Sequence, residues 1–401
     1  MQNKIWDNDR ALNLTTFFTL YLARAIPATF IMTALQVSMR EAHFGLATIG
    51  LLSLVRLPWS FKFLWAPLID RHCVTVGDYK KVIIATETVF ALAILLTGFF
   101  NVKTDLNLII ALVLLSTFAA SVQNVTNDAM AVKAFGKGDH SAVNAVKSMG
   151  RYAGTILGSG ILIMILHQYG WHTVVPFLGF FAILLMIPLI LNKSIKITPR
   201  EPKQRAKITD FIWFFSQRKI YPQIGFLFLF FAGFVGVMSM LKPWLVDQGY
   251  NMKQIGLLAG IIGTSCSFVM AAFAGWWVKR IGLFHSRRLV ALLIIGVPLY
   301  FYALTFTKPS LTLIIIGILY IKTCEASAAT ILYTTAMERV RPGREGTDFT
   351  VQIVLTHFSG AIIGVLSGGV GQWLDYRGLF LIESIIAVIS LAYILAVFRR
   401  S

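Results

Sequence analysis

Four hundred and one residues would suffice for two or three soluble domains, but 57% of them are apolar and only 13% are charged. That is about half the charged share of a soluble protein, too little to cover a water-facing surface, so a soluble enzyme is excluded. The net charge of +18 would point to nucleic acid in a soluble chain, and here its meaning depends on where the basic residues lie.

The first ten residues, MQNKIWDNDR, are polar, and the apolar stretch after them lacks a small-residue cleavage pattern. A first transmembrane helix is expected there, not a removed signal peptide. A spanning helix takes about 20 apolar residues. The hydropathy pattern predicts twelve such spans, at 12–38, 46–69, 80–100, 106–131, 143–167, 172–192, 219–246, 252–278, 288–306, 310–337, 348–373 and 378–398. The one long polar stretch, 193–218, contains KITPREPKQRAKITD, basic and with two prolines. The expected fold is an all-α membrane protein of twelve transmembrane helices: an N-terminal six-helix bundle (1–192), a basic cytoplasmic linker (193–218) and a C-terminal six-helix bundle (219–401).

Lys and Arg set the orientation. With the N-terminus cytoplasmic, 24 of the 36 fall in cytoplasmic segments and five outside, at Arg40, Lys103, Lys253, Lys308 and Arg377. Both termini are therefore expected inside. The positive charge then reads as a topology signal beside anionic lipid, with no nucleic-acid partner.

The halves repeat. Ile49-Gly50-Leu51-Leu52 recurs as Ile255-Gly256-Leu257-Leu258, and the same offset of 206 carries Met32 onto Met238, Gly154 onto Gly360 and Gly158 onto Gly364. Asp70-Arg71 after span 2 corresponds roughly to Lys279-Arg280 after span 8, each followed by a second basic pair, Lys80-Lys81 and Arg287-Arg288. Parallel six-plus-six repeats are the architecture of the major facilitator superfamily.

The densest motif is Phe61-Lys62-Phe63-Leu64-Trp65-Ala66-Pro67-Leu68-Ile69-Asp70-Arg71, supported by Ala25-Ile26-Pro27 and by Gln123-Asn124-Val125-Thr126-Asn127-Asp128-Ala129. With the Gly-rich span 5, it resembles the muropeptide permease and acetyl-coenzyme A transporter branch of that superfamily, over about the first 190 residues. The resemblance implies a proton-coupled importer of the bacterial inner membrane, its substrates including anhydro-muropeptides and some iron siderophores. Three departures stand out. Asn124 takes the place of a usual acidic residue, Gly150-Arg151-Tyr152 replaces Gly-Tyr-Arg, and Gly77-Asp78-Tyr79-Lys80-Lys81 replaces a Gly-Arg-Arg run.

Ionisable residues inside spans cost at least about 2.5–3.5 kcal/mol each if they face lipid. Arg24, Arg56, Lys62, Lys147, Arg151, Lys242 and Lys322 are basic, against Glu87, Asp128 and Glu325 as the clear acids. At 1.5 Å per residue, Arg24, Arg56, Lys322 and Glu325 lie near the midplane. Thr117, Ser121, Asn124 and Asp128 share one face of span 4, and Lys147, Arg151 and Thr155 one face of span 5. Asp128 and Lys147 match in depth, so an internal pair is an equal alternative there. Glu87, seven residues from an end, reads as structural, and Lys62 as a snorkelling lysine.

The candidate substrate contacts are Arg24, Arg56, Gln123, Asn124, Arg151 and Lys322. The candidate proton carriers are Glu325, then Asp128 and His357, the last expected to be buried and more often a packing residue than a carrier. Asp70, Arg71, Lys80, Lys81, Lys279 and Arg280 form a candidate cytoplasmic gate. A carboxylate at a helix end can accept from a neighbouring helix N-terminus. Gly150, Gly154 and Gly158 in span 5, like Gly360, Gly364 and Gly368 in span 11, predict close helix approach.

Cys73, Cys266 and Cys324 show no metal spacing, and no phosphate loop or nucleophile elbow is present. No metal and no cofactor are expected. The expected function is secondary transport, by a monomer, of a small anionic solute with protons. The alternatives are a ferric-siderophore importer of the same fold and a transport-fold sensor or receptor. A membrane acyltransferase would need a histidine or cysteine with an acid partner at a membrane face, and the seven histidines form no such cluster.

Overall fold

Inside a bilayer every backbone polar group must be satisfied within the protein, so long apolar segments fold as helices. The computed structural model describes residues 2–42, 52–197, 206–207, 209–217 and 220–398, and the secondary structure of those residues is helical without strands. The repeat motif at 49–51 and much of the linker, 198–205, lie outside the described residues.

Nine helices among the described residues are long and apolar enough to cross a membrane. Three local features separate that number from the expected twelve. Span 2 is broken into the 3-10 turn Leu52–Arg56, the helix Leu57–Phe61, the 3-10 turn Lys62–Leu64 and the helix Ala66–His72. Pro58 and Pro67 sit in the first turns of the two helical pieces, where a missing N–H is tolerated but continuation from the preceding turn is not. Span 3 forms Val76–Thr97, whose Lys80, Lys81 and Glu87 lower its hydropathy. Spans 11 and 12 run together as Glu345–Val397, with a break in helical geometry at Asp375, φ 53°.

The chain divides into two compact units. One comprises 1–137, 149–211 and 340–350, and the other 138–148, 212–339 and 351–401. The helix His140–Ile156 therefore begins in the second unit and continues in the first, and Glu345–Val397 begins in the first and continues in the second.

In the first unit, span 3 packs on spans 4 and 6, around a core that includes Phe30, Leu35, Phe90, Ile94, Val113 and Leu178. Lipid offers little hydrophobic drive between helices, so association rests on close packing and hydrogen bonds. Span 5 supplies this with glycine. A Cβ at Gly150 would stand 2.9 Å from the Tyr21 Cβ, and at Gly154 and Gly158 it would overlap Ala25 and Thr29 of span 1. Thr29 Oγ1 donates to the Gly154 carbonyl at 3.0 Å across the same seam.

In the second unit, span 10 packs against spans 8 and 9, and Trp244 meets Phe301 edge-on with ring centroids 5.5 Å apart. The expected second glycine seam does not form in the same way. Gly360 has nothing within 4 Å of an added Cβ, Gly364 meets only Ser239 at 3.2 Å, and Gly368 meets Met240 at 3.8 Å. The close approach in this unit comes instead from Gly233 and Gly236 of span 7, against Ala387 and Glu383 of span 12. Leu96, Phe118, Phe177, Val269, Trp276 and Val365 are exposed, as suits an exterior facing lipid.

Candidate functional site

The first unit gathers a buried polar cluster from spans 1 to 4. Arg24 of span 1 is 9% exposed, and its Nε has no hydrogen-bond partner. Its guanidinium lies 4.6 Å from the centre of the Trp59 ring, and the Lys62 ammonium lies 5.5 Å from the same ring. Lys62 is 2% exposed and donates to Asn124 Oδ1 at 3.0 Å. The snorkelling expected of Lys62 is therefore corrected. It falls in the 3-10 turn between two proline-led pieces, and that irregular stretch turns its side chain into the protein.

On span 4, Gln123 donates from Nε2 to Glu87 Oε2, and Tyr21 of span 1 donates to Asp128 Oδ1 at 2.9 Å. Gln123, Asn124, Asn127 and Asp128 are all at most 2% exposed. Less than two turns of span 4 thus meet a cation on span 2, an acid on span 3 and a phenol on span 1. Glu87, expected to be structural, belongs to this cluster.

Arg56 is exposed and lines a cavity of about 270 Å³ together with Thr29, Met32, Trp59, Ser116 and Thr117. That wall is mostly apolar, and Arg56 is its cation. Trp59 belongs both to the cavity wall and to the buried cluster. Arg151 is exposed, with its guanidinium 4.5 Å from the Tyr152 ring centre.

In the second unit, Lys322 and Glu325 form an ion pair at 2.8 Å, both side chains partly buried. Lys147 lies 4.9 Å from the Tyr333 ring centre. His357, expected to be a buried residue of span 11, is exposed. An acid missed in the sequence, Glu383 of span 12, is 1% exposed. It lies only six residues into its span, where a carboxylate is easily taken for an end residue.

The candidate gate resolves into two arrangements. In the first unit, Asp70 is fully buried and accepts from Gly346 N at 3.0 Å, Thr347 N at 2.6 Å and Thr347 Oγ1 at 2.7 Å. These are first-turn donors of the helix Glu345–Val397, which have no partners within their own helix. Burial pushes the Asp70 carboxyl up to about 6, against the pull of the Thr347 hydrogen bonds. Around it Lys133 pairs with Glu345 at 3.7 Å, Arg341 with Asp348 at 2.6 Å and Arg344 with Asp210 at 2.9 Å. None of these neighbours belongs to the span-2 motif, so the motif alone could not identify them.

In the second unit, Lys279 pairs with Asp139 at 2.9 Å, just ahead of the helix His140–Ile156. Arg280 lies 5.7 Å from the Trp276 ring centre. Lys80 donates to the Asn192 carbonyl at 2.5 Å and so ties span 3 to the end of span 6. Arg71 and Lys81 are exposed.

The family model of the Major Facilitator Superfamily matches residues 12–364. An anhydromuropeptide permease of Escherichia coli K12 is 26% identical over 289 residues, which cover 69% of this chain and 57% of the permease. The chain thus matches little more than half the length of that relative. A putative AmpG 3 transporter of Rickettsia prowazekii is 22% identical over 411 residues, covering 98% of this chain and 97% of that protein. The solved structure of FucP, a superfamily transporter in the outward conformation, superposes with a TM-score of 0.74 at 13% identity, covering 97% of this chain and 98% of FucP.

Proposed function

The chain belongs to the major facilitator superfamily, and from that premise we propose that it imports a small anionic solute of the anhydro-muropeptide class together with protons. The setting is the bacterial inner membrane, with both termini cytoplasmic, as the basic loops favour. A monomer acts as the carrier. The observation that carries the reading is Arg24, a buried cation that lies against the Trp59 ring with its Nε unpartnered. The nearby acids Asp128 and Glu87 attract the guanidinium electrostatically, but its Nε still lacks the acceptor that a buried donor needs. A carboxylate-bearing ligand supplies that acceptor. The substrate class is suggested by the similarity to the anhydromuropeptide permease of Escherichia coli.

In this reading the solute binds near the midplane, and access alternates as the ion pairs and the helix cap at the cytoplasmic end break and reform. The Asp70 cap is one such latch, and Lys279–Asp139 is the other. Glu325 carries the proton. Its ion pair with Lys322 at 2.8 Å opens when the lysine turns to substrate, which frees the carboxylate to take up a proton.

The test is binding to the purified protein by calorimetry, with an anhydro-muropeptide, its peptide-free disaccharide and a ferric siderophore as ligands. Anhydro-muropeptide binding that weakens at least about tenfold in Arg24→Gln, a loss of about 1.4 kcal/mol, supports the reading. Binding of the siderophore alone overturns the substrate class, and equal affinity in wild type and Arg24→Gln overturns the site.

A further inference from the structure

Glu383 is a buried carboxyl outside the cluster described above, and the second unit builds a niche for it from three spans. Span 7 contributes Gly236, where any Cβ would overlap the carboxyl and the Ser367 hydroxyl. Span 11 contributes Ser367, which is 3% exposed. Its Oγ lies 2.7 Å from the Ile363 carbonyl oxygen and 2.8 Å from Glu383 Oε1. Glu383 Oε2 is buried with no hydrogen-bond partner.

A serine hydroxyl has one proton and two lone pairs. The Ile363 carbonyl, four residues back along the helix, takes that proton in the usual back-bonded geometry of a helical serine. The second short contact then needs a proton from the carboxyl, with Glu383 Oε1–H donating to Ser367 Oγ. The opposite assignment has Ser367 donate to an ionised Glu383. It would leave Oε2 as a bare anionic oxygen inside an apolar span, which costs several kcal/mol. The groups meeting the carboxyl from spans 7 and 11 are the Gly236 backbone and the Ser367 hydroxyl, and neither supplies a counter-charge. The cation of span 7, Lys242, is exposed and six residues beyond Gly236, roughly 9 Å along the helix. His357 of span 11 is exposed and ten residues before Ser367, roughly 15 Å away by the same rise.

We propose that Glu383 is a proton-binding site, neutral in this conformation, whose proton is held by Ser367 and released when spans 7, 11 and 12 separate enough to let water reach the carboxyl. The balance is simple: the carboxylate takes one proton in the closed niche and returns it to water in the open one, with no other group changed. The proton site stands on its own geometry. Its part in transport rests on the proton-coupled reading above.

The experiment has a spectroscopic arm and a transport arm. Infrared spectra of the reconstituted protein at pH 7 should show a protonated-carboxyl C=O band that shifts in D2O. That band should be lost in Glu383→Gln, move to higher frequency in Ser367→Ala, and persist in Glu325→Gln. A band unaffected by Glu383→Gln overturns the proton site, whatever the transport result. In proteoliposomes, Glu383→Gln should retain counterflow at equal pH within about twofold of wild type, about 0.4 kcal/mol, and lose accumulation driven by an inward proton gradient. Accumulation equal to wild type overturns the site's part in coupling. If wild type itself ignores the gradient, the proton-coupled reading fails while the spectroscopic result still decides the site. The glutamine is isosteric with the neutral acid, and the wild-type spectrum in D2O needs no variant at all.

Discussion

Gly154 and Gly360 stand at equivalent positions of the repeat, yet an added methyl group should have opposite effects at the two. At Gly154 the new Cβ overlaps Ala25 and falls 2.9 Å from the Ala25 carbonyl carbon and 3.0 Å from Ile26 N. Carbons rest at about 3.5–4.0 Å, so relieving the Ala25 overlap needs span 5 to withdraw from span 1 by more than roughly 1 Å, which forfeits about half or more of each contact along the seam. Overpacking of this kind costs about 1–3 kcal/mol. At Gly360 an added Cβ meets nothing within 4 Å. In both places alanine gains roughly 0.5–1 kcal/mol of helix propensity over glycine. That gain cancels between the two variants, so they should differ by the overpacking cost alone, about 1–3 kcal/mol, or roughly 5- to 150-fold in the unfolding constant. Graded unfolding in mixed micelles, followed by tryptophan fluorescence, measures the difference. Gly360→Ala should match or exceed wild type, and Gly154→Ala should fall below it. Equal effects at the two positions would refute the packing argument.

Asp70→Ala removes the acceptor of three donors at the start of Glu345–Val397. It should destabilise by about 2–4 kcal/mol, and a double-mutant cycle with Thr347→Val should be non-additive. The folded Asp70 carboxyl sits at about 6, above its unfolded value near 3.9. Its contribution is therefore fully present below about pH 4 and lost as pH rises through 6. Thermal melts of wild type should weaken from pH 5 to pH 7 relative to Asp70→Asn by about 1.3 kcal/mol, out of about 3 kcal/mol for the whole two-unit shift. Lys62→Met should weaken anhydro-muropeptide binding at least about tenfold and, because it removes the donor to buried Asn124 Oδ1, destabilise by about 1–3 kcal/mol. Lys279→Gln breaks a pair whose side chains are 49% and 29% exposed, so stability should change by less than about 1 kcal/mol.

The helical architecture was legible because membrane spans are long runs that depend on little beyond hydropathy. The 206-residue offset and the span-5 glycines were legible for the same reason, as regular spacing on regular helices. Asp70 as an acceptor for a helix N-terminus followed from its place at a helix end, but its partner lies 276 residues away, beyond any local pattern. Lys62 does not snorkel because Pro58 and Pro67 divide span 2 into short pieces, where depth along an unbroken helix does not apply. Glu383 escaped because its significance comes from Ser367 and Gly236 on other spans. The glycine stripe of span 11 matched the repeat in spacing but not in packing, since what a glycine meets is set by the neighbouring helix.

Uptake of an anhydro-muropeptide into proteoliposomes, by wild type and by Arg24→Gln, with and without an inward proton gradient, tests the central claim most directly. Wild type should accumulate the solute above its external concentration only when the gradient is present. Arg24→Gln should fold normally and lose at least about nine-tenths of that uptake at sub-saturating solute, a tenfold change worth about 1.4 kcal/mol. Uptake by Arg24→Gln equal to wild type, or accumulation by wild type that ignores the gradient, would contradict the account.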